Sequence, residues 1–213
     1  KTSHPPIHPS THPPTHPSTA FYRDFILTHF PYSSICRYST QRYPMDTLTI
    51  FGLQFILSLI VLSLLAKWYV VPWLAKQPIH QALSVLIIPH AFRHVGLAFL
   101  VPGLVLQPLP SFFAYTAAYG DLISGLLALA SLIALRARWR WALMLVWLFS
   151  VVGAADLLNA LRQAEAVPNL GTTWYIPTFW VPILLVTHGL IFARLVKQWV
   201  QSLNRSKEHI AHV

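Results

Sequence analysis

Cysteine occurs once in the 213 residues, at Cys36, and charged side chains make up only 10% of the chain. A single cysteine excludes an intrachain disulfide framework and any zinc site built from several thiolates. The charge content is less than half of the roughly 25% usual in a soluble domain, which excludes water as the main solvent of the chain. Other signatures are missing as well. There is no glycine-rich phosphate loop, no strained serine elbow, and no general-base glutamate between helical histidines of the metalloprotease kind. The 15 Lys and Arg outnumber the 6 Asp and Glu, but they are strung along loops beside apolar runs. They are not gathered on one soluble face, which argues against nucleic acid as a partner.

What the sequence does have is apolar length. Hydrophobic residues make up 55% of it and the mean hydropathy is +0.53. A bilayer core of about 30 Å needs roughly 20 such residues at 1.5 Å each. Segments at about 47–70, 82–106, 110–135, 141–162 and 174–196 meet that requirement. They are joined by short connections with turn chemistry: Pro72 and Pro78, then Gln107-Pro108-Leu109-Pro110, and later Pro168-Asn169-Leu170-Gly171. The fold class expected is an all-α membrane protein, a bundle of five transmembrane helices with the lipid bilayer as its main partner. A homo-oligomer or a place in a larger membrane complex is the further partner expectation.

Basic residues sort by loop. Lys67 and Lys76 follow the first span, Arg136, Arg138 and Arg140 the third, and Arg194, Lys197, Arg205 and Lys207 the fifth. The second connection has none, and the fourth has only Arg162 near Glu165. By the positive-inside bias the N-terminus lies outside and the C-terminus in the cytoplasm, in a membrane taken to be a bacterial inner (plasma) membrane. Trp68, Trp73, Trp139, Trp141, Trp174, Tyr175 and Trp199 fall near the span ends, where amphipathic rings settle.

Residues 1–44 are a different material. His4-Pro5-Pro6, His8-Pro9-Ser10-Thr11, His12-Pro13-Pro14-Thr15 and His16-Pro17-Ser18-Thr19 form a near-repeat. Proline at this density blocks helical hydrogen bonding and favours an extended, solvated chain. The expected organisation is a disordered tail over 1–44 and a five-helix domain over 45–213. The first methionine, Met45, stands two residues before the first apolar span. The tail is therefore read as non-native upstream sequence, with a transit peptide as the competing account.

The candidate site is the set of ionisable residues inside the spans: His90, Arg93, His94, Asp121, Asp156 and His188, with Asn159 alongside. Each is expensive in hydrocarbon, so each needs a partner, a cavity or a task. Depth counting at 1.5 Å per residue puts His90 and His188 on one level and Arg93, His94, Asp121 and Asp156 on a second, about a turn or two further out. Residues 90, 93 and 94 fall at i, i+3 and i+4, on one stripe of an α-helix. The small residues Gly153 and Ala160 on the fourth span, and Ala117, Ser124, Gly125 and Ala128 on the third, allow close helix approach. Arg93 and His94 are thereby expected to meet the two aspartates.

Three readings of the cluster stand open at this point. It is polar glue for the bundle, in a structural subunit or assembly partner. Or it handles protons or cations, with His and Asp as exchanging groups and Arg93 holding one aspartate ionised. Or it is a cofactor site. His90 and His94 have the spacing of helical ligands to a divalent metal, and His90 and His188 could flank a haem. The sequence names no substrate, no catalytic residue and no definite cofactor.

Overall fold

The computed structural model describes residues 45–106 and 109–211, with side chains described as far as Arg205. The near-repeat tail and Cys36 lie outside the described residues. Five helices are long and apolar enough to cross a membrane: Thr47–Ala75 (α1), Ile79–Leu100 (α2), Ser111–Arg136 (α3), Ala142–Leu161 (α4), and a last span, Gly171–Arg205, carried by the helix Val181–Ala211 (α5). Among the described residues there is no strand, only one isolated bridge between Pro102 and Val105. Three span ends differ from the sequence boundaries by five residues or more: the last span continues past residue 196 to Arg205, and the other two have local causes. α1 continues to Ala75, because a wide turn over Ala66–Val70 accommodates Pro72 without ending the helix. α2 stops at Leu100, where Val101 turns to extended backbone and Gly103 takes φ 88°.

Three of the helices change pitch beside a proline. The amide of Val71, just before Pro72, reaches back five residues to Ala66 O, and that of Val181, just before Pro182, reaches Ile176 O. A proline ring clashes with the carbonyl four residues earlier, and a single wide π turn relieves that clash without ending the helix. α2 responds differently. Pro89 lies inside its α-helical part, Ile79–Ala91, and from Phe92 to Leu100 the helix tightens to 3-10 geometry. That nine-residue run is long for 3-10 helix, which seldom exceeds three or four residues, and it positions the site.

α2, α3, α4 and α5 form the packed body. Thirteen buried apolar residues fill the end that carries most of the Lys and Arg, among them Leu83, Leu86, Ile87, Leu135, Val146, Phe149 and Ile191. A second cluster, with Phe99, Phe113, Ala117, Val167 and Leu170, fills the opposite end. α1 is an outlier: none of its residues from Thr47 to Leu65 is buried. It leans on the body through Phe51, edge-on to Trp174 at 5.6 Å, and through Gln54, whose Oε1 accepts from Trp174 Nε1 at 2.6 Å. Outward-facing residues such as Ile56, Leu126, Met144 and Leu158 are more than half exposed, so the surface between the helix ends is apolar all round.

The loops at the second end are tied together. Leu106 N donates to Asn169 O, and both the amide and the hydroxyl of Thr172 donate to Leu104 O. Gly171 makes this possible, since it has φ 54° and an added Cβ would lie 2.7 Å from Leu104 O.

At the start of α1, Asp46 caps the helix by accepting from Thr49 N at 3.0 Å. The Thr49 side chain first, and this amide bond second, hold the Asp46 carboxyl below the usual aspartate range. A depressed folded pKa means the cap is fully effective above the ordinary aspartate range and is lost as pH falls through the depressed value. The protection factors of the Thr49 and Ile50 amides, which correct for the intrinsic slowing of exchange in acid, are expected to fall on acidification in the wild type and to be low at every pH in Asp46→Ala. Protection that is high and independent of pH in both would contradict the capping role.

Candidate functional site

In a 3-10 helix residues three apart eclipse one another. His90, Arg93, Gly96 and Phe99 therefore share a face, and all four are buried, whereas Phe92, His94 and Val95 are exposed. The α-helical stripe joining residues 90, 93 and 94 does not exist here, because the change of pitch carries residue 94 away and brings residue 93 directly above residue 90. His94 makes only a local contact, from Nδ1 to Ala91 O at 3.2 Å. It is not beside Arg93 and the aspartates, which corrects the expectation from spacing. Asn159 is likewise exposed, and its carbonyl accepts from Gln163 Nε2 at 3.3 Å.

Arg93 is 1% exposed and joins three helices. Its Nε donates to Asp121 Oδ1 of α3 at 2.7 Å, its Nη2 to Asp156 Oδ2 of α4 at 2.5 Å, and its Nη1 to the carbonyl of Gly153, also on α4, at 3.0 Å. All three nitrogens are thus engaged. The planar fork of guanidinium, with donors on separate nitrogens, suits three acceptors in a way that a lysine ammonium does not. Removing two carboxylates and a guanidinium from water costs several kcal/mol per ion, and only good geometry offsets it.

Glycines make the geometry possible. An added Cβ on Gly96 would collide with the Asp121 carboxyl, one on Gly120 with the Asp156 carboxyl, and one on Gly153 with both Arg93 Nη1 and His188 Nε2 at 2.9 Å. Gly96 and Gly120 were not among the residues the sequence singled out. Their signal was there, since a glycine inside a long apolar helix marks a close approach, but nothing in the sequence says what approaches.

The two levels inferred from depth counting meet at Gly153. Below Arg93, the His90 and His188 rings lie 4.2 Å apart and tilted by 57°, with Phe149 at 5.1 Å from one and 5.3 Å from the other. His90 Nε2 bonds Thr187 Oγ1 at 2.8 Å, and that hydroxyl is itself a donor to Ile183 O, so His90 is the donor in the pair. His90 Nδ1 and both ring nitrogens of His188 are buried without a hydrogen-bond partner. The rings are packed directly on each other, which leaves no room for a haem iron between them. His90 and His94 diverge, and no group of three or more His, Cys, Asp or Glu among the described residues is arranged to hold a metal ion.

On the far side of the triad from the histidines lies a cavity of about 70 Å³. Asp121 and Asp156 form its polar floor, and its walls include Phe51, Phe99, Phe113, Leu157 and Val181. The two carboxylate side chains are 13% and 15% exposed, against 0% for that of Arg93, so the carboxylates and not the guanidinium face the cavity. Gln163 also lines it, and its Oε1 is buried and unpartnered.

Fold and site together define an all-helical protein with five helices long and apolar enough to cross a membrane, built around a buried Arg–Asp–Asp triad under an apolar cavity. A protein-family profile described as a domain of unknown function, DUF8737, matches residues 50–196, and the chain belongs to that family. No curated protein matches the chain, and no solved structure does. The matched region contains the triad, the histidine pair and every residue that lines the cavity.

Proposed function

We propose that this is an integral membrane protein that binds one positive charge, a proton or a cation, at Asp121 and Asp156 from the cavity side. The observation that carries the reading is a charge count. One guanidinium faces two carboxylates in a site removed from water, and neither imidazole touches a carboxylate, so one negative charge is left over. In a low-dielectric bundle an uncompensated charge is far costlier than a neutral site. The carboxylates line a cavity by which a counter-ion can reach them, while Arg93 is a fixed charge that never leaves.

The site is open at one end only. Beneath the histidine pair the buried apolar cluster around Leu86, Ile87, Val146 and Ile191 is interrupted only by the buried hydroxyls of Ser131 and Ser150, and no ionisable side chain is buried there among the described residues. This favours uptake and release on one side over conduction through the bundle. Lys67, Lys76, Arg136, Arg138, Arg140, Arg194 and Lys197 lie toward the sealed end of their helices, which by the positive-inside bias puts the cavity mouth on the outer side of the membrane.

Infrared spectroscopy of the protein in lipid bilayers tests this reading. With only bulky N-methylglucamine as buffer cation, the wild type is expected to show a buried protonated-carboxyl band, sensitive to deuteration and lost in Asp121→Asn or Asp156→Asn. A wild-type spectrum showing two carboxylates and no protonated carboxyl under those conditions would overturn it.

A further inference from the structure

We infer that the ligand of the cavity is a small lipophilic ammonium ion, an amine cation with a short alkyl chain as its apolar body. This rests on the cation-binding reading above and adds the chemical class of the cation. The first observation is that carboxylates dominate the polar lining of the cavity. Its polar atoms are those of Asp121, Asp156 and Gln163. Gln163 Nε2 donates one hydrogen bond to Asn159 O, while its Oε1 is buried and unpartnered. Each Arg93 nitrogen already donates to a protein oxygen. A ligand carboxylate or phosphate would face excess negative charge there. An ammonium has up to three donors and the complementary charge, and its bonds to carboxylate are of the strong, charge-assisted kind.

The second observation is the wall. Phe51, Phe99, Phe113, Leu157 and Val181 supply no oxygen, whereas a bare sodium or calcium ion needs a shell of several oxygens. Two carboxylates and one amide oxygen fall short of such a shell, but they suffice for the head of an amine whose body lies against the phenylalanines. A volume of about 70 Å³, less than the roughly 150 Å³ of a cavity that admits benzene, limits that body to a short chain. The third observation is access. Phe51 belongs to α1, the helix with no buried residue along Thr47–Leu65, and the Gln54–Trp174 bond holds α1 beside the cavity. Displacing this lightly packed helix exposes the cavity to the bilayer, the phase in which an amphipathic amine accumulates.

The test is equilibrium dialysis of labelled hexylammonium, hexanol and hexanoate against the full chain in lipid nanodiscs, with empty nanodiscs subtracted. Hexylammonium is expected to bind saturably, hexanol about tenfold more weakly or worse, and hexanoate not at all, since loss of a charge-assisted bond costs about 1.5–3 kcal/mol. Asp156→Asn should weaken hexylammonium by a similar factor. Ala160→Leu, which fills the cavity wall away from the triad, should weaken it while leaving the protonated-carboxyl band in place. Equal binding of hexanol and hexylammonium, or hexylammonium binding indifferent to both substitutions, would overturn the inference. So would absence of hexylammonium binding to a protein that retains the carboxyl band, and the proton-binding reading would then survive alone. Absence of the band itself would remove that reading directly.

Discussion

Arg93→Met is expected to destabilise the protein by about 3–5 kcal/mol, the usual cost of leaving buried charge without its partner. Methionine keeps most of the apolar stem, so the loss reports the guanidinium rather than a cavity. Three hydrogen bonds disappear, to Asp121, Asp156 and Gly153 O, and with them the one cation that ties α2 to α3 and α4. Since a domain's whole stability is about 5–15 kcal/mol, much of the population should unfold under mild challenge. Arg93→Lys should recover only part of the loss, because a single ammonium cannot reach three acceptors held in a plane. Unfolding by sodium dodecyl sulfate in mixed micelles measures both. A lysine variant as stable as the wild type would show that charge alone, and not the fork, is what the site requires.

Gly120→Ala is expected to cost about 2–3 kcal/mol, although it adds only one methyl group. The new Cβ would fall within the Asp156 carboxyl, 2.5 Å from its Cγ, so either Asp156 leaves Arg93 or α3 and α4 move apart. The cost should vanish in the background of Asp156→Ala, where nothing remains to collide with, and such non-additivity identifies a direct contact. Gly52→Ala on α1 is the control. No atom lies within 4 Å of its added Cβ, and alanine is the better helix former by about 1 kcal/mol. It should be neutral or slightly stabilising.

Much of this arrangement can be read before any coordinates. Five apolar lengths and their turn residues locate all five helices, although the last span runs nine residues past its expected end, to Arg205, and a buried arginine with two aspartates at matched depths points to their pairing. His94 shows where that reasoning stops. The i, i+3, i+4 rule assumes α-helical pitch, and the shift to 3-10 geometry after Ala91 alters the face of every residue beyond it. Pro89 hints at a change of geometry, but a proline can bend, widen or tighten a helix, and α1 and α5 show the widening instead. The cavity was illegible for another reason. Phe51, Asp121, Leu157 and Val181 come from four different helices, and only three-dimensional packing shows that they surround one space.

The charge count is the centre of the account, and the stability of three variants tests it most directly: Asp121→Asn, Asp156→Asn, and the two combined. If one carboxylate is in excess, each single variant leaves a balanced Arg93–Asp pair with an isosteric amide beside it. Each should then stay within about 1 kcal/mol of the wild type. The double variant strands Arg93 without any anion and should lose about 3–5 kcal/mol, far more than the singles added together. Single variants that each lose as much as the double would contradict the account, because both aspartates would then be required as charges and no negative charge would remain for a proton or cation to neutralise.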